Sequence, residues 1–161
     1  MTEALSILQN TFGYEVFRPG QEDVVISLLA GRNVLAVMPT GSGKSLCFQV
    51  PALVKGGLTV VVSPLVALME DQVSALKLAG VAAETLNSSR SYDVNVVTWK
   101  KVVAGEIKLL YISPERLMTP RMIAALGKLP MAMIAIDEAH CISRWGPAFR
   151  PDYEELAKLR Y

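Results

Sequence analysis

Two groups of residues in this chain have the types and spacing for chemistry: Thr40-Gly41-Ser42-Gly43-Lys44-Ser45 and, much further along, Asp137-Glu138-Ala139-His140. A glycine-rich turn closing on Gly-Lys-Ser offers backbone N–H groups, a lysine for the β and γ oxygens, and a hydroxyl where Mg²⁺ sits between phosphates. Side chains at Gly41 or Gly43 would hold the backbone away from those phosphates. Adjacent carboxylates after an apolar run supply the complementary half, Asp137 to hold Mg²⁺ and Glu138 to orient an attacking water. A helix cap would explain one carboxylate, but not two beside a histidine. His140, the only histidine, would be redundant with Glu138 as a base and is read as a coupling residue that senses nucleotide state. Together the two groups imply hydrolysis of a nucleoside triphosphate, provided that Lys44 and Asp137 converge on one pocket.

Apolar runs of five or six residues alternate with longer helical patterns, which predicts an α/β domain around a mostly parallel sheet. Strands are expected over Asn33 to Val37, Leu58 to Val62, Ala82 to Leu86, Ile107 to Ile112 and Met131 to Ile136. Helices are expected over Glu3 to Asn10, Pro19 to Leu29, Lys44 to Val54, Leu65 to Leu78, Tyr92 to Ala104, Pro120 to Leu126 and Tyr153 to Leu159. Four of these strands run directly into a chemically distinctive turn: the phosphate loop, Ser63-Pro64, Ser113-Pro114 and Asp137-Glu138. In a parallel sheet all four share the carboxyl edge, where open α/β folds bind ligands. Each Ser-Pro pair also reads as a helix start, with serine capping and proline in the first turn.

Ahead of the loop, Tyr14, Arg18 and Gln21 lie just before or at the start of a predicted helix. Glutamine can bond the N6 and N7 edge of adenine, and tyrosine or arginine can stack on its face. These three residues predict adenine selectivity, and hence ATP as the cofactor. Pro19-Gly20 alone would be an ordinary helix start.

The totals fit one domain. The chain has 161 residues, 52% of them hydrophobic, and a formal net charge of +1, so there is no basic field to announce a polynucleotide partner. Mean hydropathy is +0.35, yet the longest nearly apolar segment, Leu58 to Met69, is interrupted by Thr59, Ser63 and Pro64 and falls short of the ~20 residues that span a bilayer. No membrane association, no secretory signal and a cytoplasmic location are expected. Cys47 and Cys141 have no metal-site or redox spacing and read as reduced thiols.

With these features assembled, the chain resembles the first motor domain of a RecQ-family DNA helicase of superfamily 2 from about Phe12 to Arg160. The resemblance is carried by Phe17-Arg18-Pro19-Gly20-Gln21, Met38 to Ser45, Ser63-Pro64-Leu65, Tyr111 to Leu117, the DEAH residues Asp137 to His140, and Cys141 to Gly146 with Phe149 to Tyr153. Met38 stands where the strict phosphate-loop pattern has glycine, which is similar to the helicase variety of the loop. The resemblance implies a P-loop NTPase (RecA-like) three-layer sandwich, and ATP- and Mg²⁺-driven 3′ to 5′ translocation on single-stranded DNA with separation of partially duplex DNA in recombination and repair. Tyr14, Arg18 and Gln21 would hold adenine, Ser63, Pro64, Ser113 and Pro114 would lie at phosphate-gripping turns, and Trp145, Phe149 and Arg150 would contact single-stranded DNA. The last assignment also stands on chemistry, because aromatics beside arginines make a base-stacking surface. Where the family has His-Asp in that loop, this chain has Pro147-Ala148.

Residues 1–161 read as a single N-terminal motor domain truncated at its C-terminal end, with the second motor domain and its arginine finger absent. An arginine finger contributes about 10³ to 10⁵ in rate, so the 161 residues alone are expected to bind Mg-ATP weakly, with negligible turnover and no unwinding. Two other readings share the phosphate loop: an RNA helicase of the DEAD or DEAH type, and a nucleotide-dependent binding module without catalysis. The protein partners are not legible in the sequence.

Overall fold

The structure is a computed structural model that describes residues 1–39 and 41–139. His140, Cys141, Trp145, Phe149, Arg150, the expected helix from Tyr153 to Leu159, and Thr40 lie outside the described residues. The elements run α1 (Thr2–Phe12), α2 (Gln21–Leu29), α3 (Leu46–Val54), β1 (Leu58–Val62), α4 (Val66–Leu78), β2 (Ala83–Leu86), α5 (Tyr92–Val103), β3 (Leu109–Ile112), α6 (Pro114–Leu117), α7 (Pro120–Leu126) and β4 (Met131–Ile136).

The four strands pair in parallel in the order β2-β3-β1-β4. Side chains alternate across a strand, and this divides the core in two. Val61, Leu109 and Tyr111 pack with Met69, Val73 and Leu76 of α4 on one face. On the other face, Val60, Val62, Leu110 and Ile112 pack with Val102 of α5 and Leu126 of α7. A strand covered on both sides is apolar nearly throughout, and Leu58-Thr59-Val60-Val61-Val62 is buried at every position. A third cluster joins Ala4 and Leu8 of α1, Val25 of α2 and Val50 of α3. The result is the expected three-layer α/β sandwich. Among the described residues no helix is long and apolar enough to cross a membrane.

One expected strand is absent. Residues 33–37 form no ladder, with Leu35 84% and Val37 89% exposed. Apolar alternation suffices for a strand only where a neighbouring backbone accepts and donates. β4 is the outer strand of the sheet, and the segment stands across a cavity from it rather than bonding to it. The short α6 was not expected from periodicity, because four residues are too few to display it.

Register brings the remaining turns to one edge. Val62 pairs with Ile112 on one side and with Ile136 on the other, so the chain leaves all three strands at the same level. The helix-start expectation fails at Ser63-Pro64, where α4 begins only at Val66 after Leu65. It holds at Ser113-Pro114, where Ser113 takes the capping position of α6 and Pro114 its first turn, although the serine side chain makes no capping bond. At the first turn Ser63 instead continues the ladder, its N–H donating to the Ile112 carbonyl at 3.2 Å.

Candidate nucleotide site

The glycine turn is built by backbone conformation and then tied down by α2. Gly41 and Gly43 have φ of 78° and 77°, a left-handed region that residues with a Cβ enter at a cost. From Gly43 the chain winds into α3 through successive three-residue turns: Leu46 N–H to Gly43 O, Cys47 N–H to Lys44 O, and Phe48 N–H to Ser45 O. Helix α3 therefore begins at Leu46 rather than at Lys44, with Ser45 as its cap residue.

Gln21, only 1% exposed, anchors this turn. Its Nε2 donates to the carbonyls of Ser42 (3.2 Å) and Gly43 (3.0 Å), while its Oε1 accepts from the Arg18 N–H at 2.7 Å. The Arg18 guanidinium donates to the Gly41 carbonyl at 2.8 Å. Two of the three residues expected to hold adenine thus grip the loop itself. The third, Tyr14, is exposed. Gly43 is required twice over, since a Cβ there would lie 2.5 Å from Gln21 Nε2.

Opposite the turn, the Asp137 N–H donates to Val62 O at 2.9 Å, extending the β1–β4 ladder into the loop. The Asp137 carboxylate accepts from Gln72 Nε2 at 3.1 Å through Oδ2 and from the Glu138 N–H at 3.0 Å through Oδ1. Glu138 sits at φ 52°, the sole left-handed residue other than glycine among those described. That conformation is strained for a residue with a Cβ and concentrates at functional sites. Met38, Lys44, Cys47 and Phe48 on one side and Asp137, Glu138 and Ala139 on the other line a single cavity of about 710 Å³. Lys44 and Asp137 thus line the same cavity, whose remaining walls include the apolar residues Val34 to Val37 and Met133 to Ile136.

The Asp137 carboxylate is an oxygen donor of the kind Mg²⁺ takes, one or two from protein beside substrate phosphates; among the described residues no group of three or more His, Cys, Asp or Glu side chains converges. Cys47 is buried, which pushes its thiol above the ordinary cysteine range.

At the Ser-Pro turns, Ser63 is buried, with its hydroxyl unpartnered among the described residues, and Pro114 is buried as well. Pro64 and Ser113 are half-exposed, so any contact with an external ligand falls to them and to the backbone. Two features escaped sequence reasoning. Gln72, behind Asp137, lies in a helix with no motif signal of its own. Glu84, in the middle of buried β2, is held by Lys77 at 2.9 Å, Arg90 at 3.5 Å and Lys101 at 4.0 Å; a polar residue in an otherwise apolar run was the only available sign.

A sequence profile for the DEAD/DEAH box helicases matches residues 18–160. The chain belongs to that family. This helicase domain is 49% identical over 157 residues to the ATP-dependent DNA helicase RecQ of Haemophilus influenzae, covering 98% of this chain and 25% of that protein. It is 46% identical over 157 residues to the ATP-dependent DNA helicase RecQ of Bacillus subtilis, covering 97% of this chain and 27% of that one. The domain thus spans about a quarter of the length of these curated relatives. Among solved structures, a hypothetical ATP-dependent RNA helicase from Sulfolobus tokodaii superposes with a TM-score of 0.77 at 22% identity, over 99% of this chain and 47% of that one. The helicase MrfA bound to DNA and AMPPNP superposes with a TM-score of 0.67 at 20% identity, over 86% and 21% of the two chains. At these identities the superpositions establish the fold.

Proposed function

We propose that this domain is the ATP-binding motor of a 3′ to 5′ DNA helicase of the RecQ type, acting on single-stranded and partially duplex DNA in recombination and repair, in the cytoplasm. The observation that carries the reading is the cavity that Lys44, Asp137 and Glu138 line together, between residues 34–38 and β4. Similarity to RecQ proteins at 46–49% identity favours DNA over RNA as the track. Intact Lys44, Asp137 and Glu138 disfavour a binding module that has lost catalysis.

In this mechanism the amides of Gly41 to Ser45 and the Lys44 ammonium bind the phosphates, while Tyr14, Arg18 and Gln21 border the adenine. Gln21, 1% exposed, would act there by holding the Ser42 and Gly43 carbonyls rather than by bonding the base. Ser45 and Asp137 would hold Mg²⁺, which neutralises charge developing on the phosphoryl oxygens. Glu138 orients the attacking water and takes its proton. His140 would report nucleotide state to the DNA track, formed by Trp145, Phe149 and Arg150 and by the turns at Ser63-Pro64 and Ser113-Pro114. The arginine finger would come from a second motor domain beyond these residues.

Steady-state ATP hydrolysis by the full-length protein, with single-stranded DNA or RNA added, tests the assignment. Stimulation by DNA is expected, and Glu138→Gln should lower turnover at least about 100-fold, the scale of a positioned general base, while ATP still binds. Preference for RNA would favour the RNA helicase reading, and unchanged turnover in Glu138→Gln would refute the catalytic one.

A further inference from the structure

A line of hydrogen bonds behind the cavity joins its two walls. Gln49 lies one helical turn beyond Ser45, its N–H donating to the Ser45 carbonyl at 2.9 Å. The Gln49 side chain donates from Nε2 to Tyr111 Oη at 3.0 Å. Tyr111 donates its O–H to Gln72 Oε1 at 2.8 Å, and Gln72 Nε2 donates to Asp137 Oδ2 at 3.1 Å. Every proton in the series points toward Asp137. The direction is dictated at that end, because an ionised carboxylate only accepts, and a reversed Gln72 amide would set oxygen against oxygen.

Packing alone does not call for these groups. Tyr111 is fully buried on β3 between Leu110 and Ile112, where a phenyl ring would fill the same space without a hydroxyl to satisfy. The hydroxyl is used on both sides, as acceptor and as donor. Burial also pushes the Tyr111 phenol well above the ordinary tyrosine range, so it stays protonated and able to donate. With Oδ1 bound by the Glu138 N–H, both Asp137 oxygens are fixed and the carboxylate plane cannot rotate freely. Bonds that polarise one another in series reinforce this hold.

We propose that Gln72 is a positioning residue for Asp137, and that Gln49, Tyr111 and Gln72 form a strut that sets the metal-binding carboxylate relative to the phosphate-loop helix. The inference rests on the reading of Asp137 as a Mg²⁺ ligand. The strut makes no contact with nucleotide; it acts by holding the carboxylate in the orientation the metal requires before the metal arrives.

Calorimetric titration of the full-length protein with ATP, in excess Mg²⁺ and separately in EDTA, distinguishes positioning from packing. Tyr111→Phe and Gln72→Leu should each weaken Mg-ATP binding about 2- to 12-fold, the equivalent of one lost hydrogen bond, and leave metal-free ATP binding within about twofold. The Mn²⁺ concentration that half-saturates the ATP complex, read by electron paramagnetic resonance, should rise in parallel. Equal weakening with and without metal, or a lowered Tm with unchanged metal dependence, overturns the strut. Gln49→Leu, at the far end, gives the same readout should Tyr111→Phe or Gln72→Leu fold poorly. Metal dependence lost in Asp137→Asn but unaltered in the three strut variants overturns the strut alone. A wild-type protein whose ATP affinity ignores Mg²⁺ overturns the reading of Asp137 and the strut with it.

Discussion

Replacing Gln21 by methionine, similar in size and unable to make the same bonds, separates two roles that one glutamine could play. In the structure its amide supplies two donated bonds to Ser42 and Gly43 and accepts one from Arg18, in a position 1% exposed to solvent. Each such bond contributes about 0.5–1.5 kcal/mol net, so losing three costs roughly 1.5–4.5 kcal/mol, part of it borne by loop carbonyls left without a donor. The cost falls on the glycine turn, whose amides must already be arranged when phosphate arrives. Urea unfolding at neutral pH should show the lost stability. Binding of inorganic tripolyphosphate, which has no base, should weaken by the same factor as binding of ATP. If Gln21→Met leaves tripolyphosphate binding intact while ATP binding falls, the residue acts at adenine and the anchoring argument is wrong.

Charge networks away from the cavity give two further tests. Glu84→Ala removes the anion that Lys77, Arg90 and Lys101 share and should lower stability in urea unfolding by about 1–3 kcal/mol, less than for a fully enclosed pair because both lysines can turn to water. Glu70 is bonded by Arg90 through both carboxylate oxygens, at 3.0 and 2.8 Å, and the Arg90 hydrogen bond foremost holds its carboxyl below the ordinary glutamate range. A depressed acid stabilises the fold above its unfolded pKa of about 4.3 and loses that contribution as pH falls through the lower, folded value. The stability difference between the wild type and Glu70→Gln should therefore be present at pH 7 and diminish as pH falls below about 4.3; a difference unchanged by acid would contradict the assignment.

Much of this domain could be read from local sequence because local physics dictated it. Leu58 to Val62 had to be a buried strand, since no other element buries so short and nearly continuous an apolar run so economically between two helical layers. Gly41 and Gly43 marked the loop because its backbone needs left-handed angles. Asn33 to Val37 shows where such reasoning stops: its residues suit a strand, but a ladder is a property of two backbones, and no partner bonds to it among the described residues.

Sequence by itself determined the functional groups, a phosphate loop and a carboxylate pair, and three of the four strands expected to run into distinctive turns at one edge. Tertiary structure alone decided who holds them. Gln21 lies 22 residues from Gly43, Gln72 lies 65 from Asp137 and Gln49 lies 62 from Tyr111, so nothing in local spacing announces these bonds. Hydrogen bonds are short-ranged and directional, and a chain can specify them only after its apolar faces have packed and fixed which distant side chains come within 3 Å of one another.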